Sequence, residues 1–444
     1  MGEMFDRVVI IAAVFIVIMT ISVYGSDQIP APLQKQPIAL TGGIIHTVNS
    51  GIIHSGVILF DKGKIVDIGT NSTIPADAVK LDINGLHVYP GLIETVSQLG
   101  LAEINSVRAT VDYSETGEIN PNVRAETAVN PDSERIPVTR SNGVSMAVSV
   151  PEGGLISGKA ALMMLDGWTW EDMTLKAPVG MVIHWPNMRA TDAYGKQKSL
   201  DEHRKQVKEQ LDKIEQTFRD ARAYKAARDA DGQKDVPFHK ADVRWEAMIP
   251  VLNGELPVWV WADRKQEIVS AVDWADREQL KMVLVGGADS PLVTDLLQRK
   301  NIPVIITPIL RLPNRRDADY DEQFTVPKKL FDAGVTFCIA GGDGMGNDRN
   351  LPYHAAMSAA YGLPKDEALK AITLYAARIA GVDGRAGSLE VGKDATLIIT
   401  DGDPLEITTT VHKLFIQGRD IDLNDRHKML YHKYSEKYRQ AEGN

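Results

Sequence analysis

The stretch that decides the fold runs Val88-Tyr89-Pro90-Gly91-Leu92-Ile93-Glu94-Thr95-Val96-Ser97-Gln98-Leu99-Gly100. In this stretch a Pro-Gly turn leads into a short apolar run, which gives way to small and polar residues. A turn, a buried strand and a polar end are typical of a strand in a β/α barrel, where reactive side chains gather at the carboxyl ends of the strands. The pattern therefore predicts that the chain enters a barrel here and that the residues after Glu94 reach its mouth.

The middle of the chain alternates short apolar runs with helical segments, which predicts a parallel α/β architecture. A long charged helix is predicted over residues 201–228, and its single narrow apolar stripe favours packing on the outside of the barrel. A partner-binding surface is the alternative for this helix. The remaining predicted barrel strands are residues 143–150, 160–165, 179–184, 256–262, 282–286, 303–308 and 336–340.

Both ends of the chain consist of short strand-like runs separated by turns, as in a small antiparallel sheet. We therefore predict one composite β-sandwich built from residues 38–88 and 387–424, with the barrel inserted as residues 89–386. Residues 27–37 form a Pro-rich linker, and residues 425–444 form a C-terminal tail rich in Tyr, Lys and His.

The N-terminus carries an uncharged apolar run over residues 8–23, with the small residue Gly25 just after it. This pattern predicts a secretory signal peptide over residues 1–26 and export to the periplasm or the exterior. An uncleaved membrane anchor is the alternative, although a span needs about 20 residues. Cys338 is the single cysteine, so the exported chain has no internal disulfide. A net charge of −10 argues against a nucleic-acid partner.

The opening stretch resembles the P-G-[LF]-I-D-x-H-x-H start of the amidohydrolase superfamily barrel. Residues 387–400 resemble that superfamily's G-[ST]-[IL]-x-x-G-K-x-A-D-[LI] closing signature, with Thr396 in place of the Asp. The chain is most similar to the imidazolonepropionase-like exported members. The resemblance implies a (β/α)8 TIM-like barrel and a hydrolase that uses a divalent metal, usually zinc. The bonds cleaved would be carbon–nitrogen bonds other than peptide bonds, such as those of cyclic amides.

The positions that hold the metal in that family have changed in this chain. Val96 and Gln98 stand where two histidines would follow the first strand. Trp261 replaces the histidine after the fifth strand, and Gly287 or Ala288 falls at the histidine position after the sixth. Asp343 alone matches the family, at its catalytic Asp. Because valine, glycine and tryptophan offer no metal ligand, we expect the family's metal not to be bound.

Other polar residues follow the predicted strands. Glu94, Asp263 and Asp289 would suit a hard cation if they converged, although acids in such positions are more often solvated or ion-paired. His184 ends a predicted strand and is either a ligand-contacting or a structural histidine. The candidates for binding a small-molecule substrate are Trp261, His184 and Arg264.

Two functions remain open from the sequence. The first is a hydrolase with an altered site, in which Asp343 acts as general base. The second is a catalytically inactive pseudoenzyme that serves as a binding module, as a homo-oligomer or as the partner of an active homologue. The loss of the histidines favours the second, because it removes the step in which a metal acidifies water.

Overall fold

The structure is a computed structural model that describes residues 28–190, 199–230, 240–313, 318–342 and 346–442. The predicted signal peptide lies outside the described residues, and so does Asp343.

Strands from both chain ends share one sheet. Its N-terminal members are β1 (Ile38–His46), β2 (Ile52–Asp61), β3 (Lys64–Gly69), β4 (Val79–Asp82) and β5 (His87–Pro90). The last three strands of the chain complete it: β14 (Leu397–Thr400), β15 (Val411–Ile416) and β16 (Arg419–Ile421). The strand order is β16-β15-β14-β5-β1-β2-β3, with β4 paired to β1. The two ends meet where β14 runs antiparallel to β5. The sandwich form of this unit and its boundaries stay predictions.

The second sheet is a nearly closed barrel of eight strands that follow one another in chain order. Its β-strands β6 to β13 coincide closely with the predicted runs, and the α/β barrel predicted from the sequence is confirmed at this level. The strands are β6 (Leu92–Ser97), β7 (Val144–Ser149), β8 (Ile156–Met164), β9 (Thr174–His184), β10 (Val258–Ala262), β11 (Met282–Gly286), β12 (Val304–Ile306) and β13 (Phe337–Ile339).

One strand departs from the parallel order. β8 runs antiparallel to both β7 and β9, whereas β6 is parallel to β7 and strands β9 to β13 are parallel to one another. The connections on either side of β8 are residues 150–155 and 165–173. Both are shorter than the roughly dozen residues that a parallel crossover needs, so β8 can only turn back. The regular β/α repeat is therefore interrupted after the second strand.

The helices cover the outside of the barrel, except for the last one. α3 matches the predicted outer helix: its buried residues include Ile214, Phe218 and Ala221, and the Phe218 ring packs edge-on against Trp274 with centroids 5.0 Å apart. None of the helices in the described ranges is long and apolar enough to cross a membrane. The helices are α1 (Arg135–Arg140), α2 (Trp170–Met173), α3 (Leu200–Ala230), α4 (Val243–Leu252), α5 (Lys265–Arg277), α6 (Thr294–Arg299), α7 (Glu322–Asp332), α8 (Leu351–Ala360), α9 (Lys365–Ala371), α10 (Leu374–Ala380) and α11 (Arg426–Glu442).

A buried ion cluster around Asp166 ties the linker, the barrel and the end sheet together. Asp166 Oδ1 accepts a bond from Arg140 Nη1 at 2.9 Å, and its Oδ2 accepts one from Arg419 Nη1 at 2.6 Å. The backbone N–H of Ala31 also donates to Oδ2, at 3.2 Å. All three charged side chains are at least nine-tenths buried. Removal of the carboxylate would leave two guanidinium groups buried without their partner.

We expect Asp166→Ala to lower the free energy of unfolding by about 3–5 kcal/mol, because breaking a buried ion pair leaves an uncompensated charge. Urea unfolding followed by circular dichroism measures the change. Asp212→Ala is the matched control, since Asp212 pairs with Lys208 at 2.6 Å on the exposed surface of α3. That control should change stability by about 1 kcal/mol or less. Equal losses in both variants would contradict a central role for the cluster.

Candidate functional site

The mouth of the barrel holds a cavity of about 400 Å³. It lies at the carboxyl ends of the strands, where the first stretch of the sequence predicts it. Its walls combine an indole, an arginine, acids and small apolar groups. The lining includes Val96, Gln98, Glu152, Trp261, Arg311 and Asp348.

The residues at the four positions where the family would have metal-binding histidines lie in or near the mouth. Val96 and Trp261 are half-buried and line the cavity, and the Gln98 amide interacts with the Glu152 carboxylate. Gly287 adopts a φ of +65° in the turn after β11 and donates its N–H to the Ala262 carbonyl at 3.0 Å. Within the described residues, no group of three or more His, Cys, Asp and Glu side chains is arranged to hold a metal ion. The Val96, Trp261 and Gly287 positions offer no side-chain donor atom of the kind that binds a metal.

Glu94 is fully buried beneath the mouth, and its carboxylate accepts hydrogen bonds from backbone N–H groups. Its Oε1 accepts the Val96 N–H at 3.0 Å, and its Oε2 accepts the Gly341 N–H at 2.8 Å. Burial, followed by repulsion from the nearby buried carboxyl of Asp348, raises the pKa of Glu94 well above its ordinary value. The two amide bonds act in the opposite direction. Glu94 thus joins the end of β6 to the segment that follows β13.

The other two acidic candidates are neighbours, since the Asp289 N–H donates to the Asp263 carbonyl at 2.8 Å, but their carboxylates accept from different partners. Asp263 lines the cavity, where its Oδ1 accepts the Ala288 N–H at 3.2 Å and lies 3.6 Å from an Arg311 nitrogen. Asp289 accepts the Lys265 N–H at 3.1 Å, at the start of α5. The structure therefore does not bring these acids together with Glu94 into one cluster.

His184 and Arg264 differ in their relation to the mouth. The His184 ring lies 5.2 Å from the Trp261 ring, on the neighbouring strand. Burial lowers the pKa of His184 to about 4, so the imidazole is neutral at physiological pH. Its Nε2 has no hydrogen-bond partner among the described residues. Arg264 sits at the start of α5, where its N–H donates to Glu267 Oε2 at 3.1 Å.

Sequence reasoning missed two residues that shape the cavity. Arg311 donates to Gln323 Oε1 at 3.0 Å, while its buried Nε lacks a partner within the described ranges. Asp348 is buried, and desolvation raises its pKa. Arg311 follows the predicted strand 303–308, so its position could have identified it as a candidate for the mouth. Asp348 lies beyond the glycine-rich turn, where no local sequence pattern identifies it as a site residue.

Comparisons with known proteins find similarity to amidohydrolases. The model of the Amidohydrolase family matches residues 293–421. A curated relative, the amidohydrolase tasK of Hapsidospora irregularis, is 23% identical over 397 residues. The family model and this relative support membership of the amidohydrolase superfamily. The match covers 82% of this chain but 39% of tasK, so this chain spans less than half the length of that curated relative.

Solved structures of amidohydrolases share the fold. An amidohydrolase from Thermotoga maritima MSB8 has a TM-score of 0.77 at 22% identity, over 87% of this chain and 99% of that one. A putative prolidase from Bifidobacterium longum has a TM-score of 0.52 at 16% identity, over 89% and 97% of the two chains. At such low identities these likenesses concern the amidohydrolase fold alone.

The contact between Gly342 and β6 generates a prediction about the floor of the mouth. A Cβ at Gly342 would lie 1.7 Å from the Val96 carbonyl oxygen, so Gly342→Ala requires the backbone to move. We expect a loss of about 1–3 kcal/mol in the free energy of unfolding. Gly384→Ala is the control, because no heavy atom lies within 4 Å of its added Cβ. Chemical denaturation measures both variants, and an unchanged Gly342→Ala protein would refute the close approach.

Proposed function

We propose that this amidohydrolase-superfamily protein binds a small molecule in the barrel mouth and no longer performs the family's metal-dependent hydrolysis. It would act as a binding module or as the partner of an active homologue. The observation that carries the proposal is Trp261, whose indole lines the cavity at the position of the fifth-strand histidine. Val96 and Gly287, at two further ligand positions, likewise offer no donor atom for a metal.

The chemistry of the walls indicates the class of ligand. An indole surface favours a planar or ring-shaped group. The Nε of Arg311, which has no partner among the described residues, offers a donor to a carboxylate or a carbonyl oxygen. A cavity of about 400 Å³ lies within the range of roughly 300–1,000 Å³ that is usual for small-molecule sites. These features favour a small cyclic ligand that carries an acidic or carbonyl group.

The length of tasK supports the partner role. Because the match covers 39% of tasK, that relative joins its matched part to a greater length of other sequence in one polypeptide. A unit of this kind therefore occurs linked to further protein. The partner we propose is an active homologue or a second copy, in the exported compartment that the N-terminal sequence predicts.

The proposal predicts that Trp261→Ala weakens ligand binding about tenfold or more, because the indole supplies the ring-stacking surface. Saturation-transfer NMR with a panel of cyclic amides and aromatic carboxylic acids identifies binders, and titration compares the variants. Trp168→Ala is the control, since Trp168 is 67% exposed and lines a different cavity.

Elemental analysis of the same protein, purified without chelators, accompanies the titration. Absence of stoichiometric metal after incubation with Zn²⁺, Mn²⁺ and Fe²⁺ is the expected result. A stoichiometric metal together with turnover of a cyclic amide would overturn the proposal. If a ligand lost the same affinity in Trp261→Ala and in Trp168→Ala, its binding site would lie outside the mouth.

A hydrolase of non-peptide carbon–nitrogen bonds is the second candidate. It is favoured by the superfamily's hydrolase members and by the match of Asp343 to the catalytic Asp in an imidazolonepropionase-like sequence. In this case Asp343 would accept the proton of the attacking water.

On the hydrolase hypothesis, Asp343→Asn should abolish turnover of cyclic amides and leave the unfolding transition unchanged, because the amide cannot take up the proton. Product formation is followed by chromatography, with Asp289→Asn as a control at an acid that lies outside the mouth lining. Full activity in Asp343→Asn would exclude Asp343 as the base.

A further inference from the structure

Side chains from two other elements hold the Arg311 guanidinium on the wall of the mouth. Its Nη2 donates to Gln323 Oε1 at 3.0 Å, at the start of α7, and lies 3.6 Å from Asp263 Oδ1, just after β10. The Arg311 side chain is 18% exposed. Because the guanidinium is planar and its Nη2 is held, the position of its Nε depends on the backbone from which the side chain extends.

The backbone just before Arg311 is held by the imidazole of His354. After β12 ends at Ile306, the N–H groups of Ile309 and Leu310 both donate to His354 Nδ1, at 3.2 and 3.4 Å. The N–H of Arg311 itself donates to the Ile309 carbonyl at 2.9 Å, which ties Arg311 to the same turn. One ring nitrogen therefore accepts the two backbone N–H groups that precede the residue on the wall.

His354 is itself fixed by its surroundings. It lies on the buried face of α8 and is 3% exposed. A Cβ placed at Gly341 would lie 3.1 Å from Glu94 Oε2 and 3.5 Å from His354 Cδ2, so the ring borders the same backbone that the Glu94 carboxylate holds. Because Nδ1 accepts two N–H groups, it carries no proton. Loss of this acceptor would leave both N–H groups without the partner that fixes the turn.

We propose that His354 is a positioning residue for the ligand of the mouth and that, by fixing the turn before Arg311, it makes the mouth selective for a ring that carries a carboxylate. This inference rests on the proposed function, ligand binding in the mouth. His354 is not among the described residues that line the cavity, so it acts through Arg311. Hydrogen bonds are strong only when they are well aligned, and those to a charged acceptor are roughly twice as strong as those to a neutral one. A displaced Arg311 would therefore weaken the binding of a carboxylate more than that of a neutral amide.

The test titrates the protein with benzoate and with benzamide, which share one ring and differ in charge, and follows binding by saturation-transfer NMR. His354→Leu removes the acceptor, whereas His354→Asn places an amide oxygen where Nδ1 was and keeps it. Arg311→Met removes the group that contacts the ligand. Chemical denaturation checks that each variant is folded. His354→Gln, whose amide lies one carbon further out, replaces His354→Leu if the latter does not unfold cooperatively.

We expect the wild-type protein to bind benzoate about tenfold more tightly than benzamide, and His354→Asn to keep this preference. In His354→Leu the preference should fall to about twofold or less, with the affinity for benzamide unchanged. Adding His354→Leu to Arg311→Met should cause no further loss, because the two residues act through one contact.

Three results would overturn the inference. The first is a His354→Leu protein that keeps the preference for benzoate. The second is an equal loss of both probes, or a further loss in the double variant, since either would make His354 a purely structural residue. The third is a wild-type protein that prefers neither probe or binds neither. The proposed function is tested separately, by the Trp261→Ala titration.

Discussion

The buried carboxyl of Glu94 joins the first barrel strand to the segment that follows the last one. By accepting the N–H groups of Val96 and Gly341, it replaces part of the ladder that would otherwise link β13 to β6. Thr95 and Cys338 add a contact of 3.5 Å between the two strands. The absence of a side chain at Gly342 lets the backbone approach the Val96 carbonyl. Two features therefore hold the barrel together at this seam: the Glu94 carboxyl and the absence of a side chain at Gly342.

This seam also fixes what the mouth can do. A carboxylate that already accepts two amide bonds has less capacity to coordinate a cation, and burial holds its pKa high. Asp348 adds a second buried carboxyl nearby, and its repulsion, after burial, further raises the pKa of Glu94. The carboxyl groups at the floor of the mouth therefore stabilise the barrel. The groups that can contact a ligand lie on the walls, at Trp261 and Arg311.

Much of the fold could be predicted from the sequence, because the strands are short, apolar and separated by turns. The residue pattern around Pro90 and Gly91 located the first barrel strand, and the signature at residues 387–400 located the return to the end sheet. The direction of β8 was missed, because an apolar run looks the same whether its strand is parallel or antiparallel. Asp348 was missed for another reason: its burial beside Ser97 depends on a contact between distant parts of the chain. The role of Glu94 as a joint likewise required the position of Gly341.

The positions that correspond to the family's metal ligands and the packing core occupy different levels of the same strands. β10 pairs with β9 and β11 through its backbone, so the side chain at Trp261 does not set that register. Below Trp261, the side chains of Val258, Trp259 and Val260 are fully buried and hold the strand in place. The indole then gains a neighbour in His184, which burial keeps neutral. Trp261 thus adds apolar contact to the wall of the mouth, and this contact is physically consistent with the ligand-binding mouth that we propose.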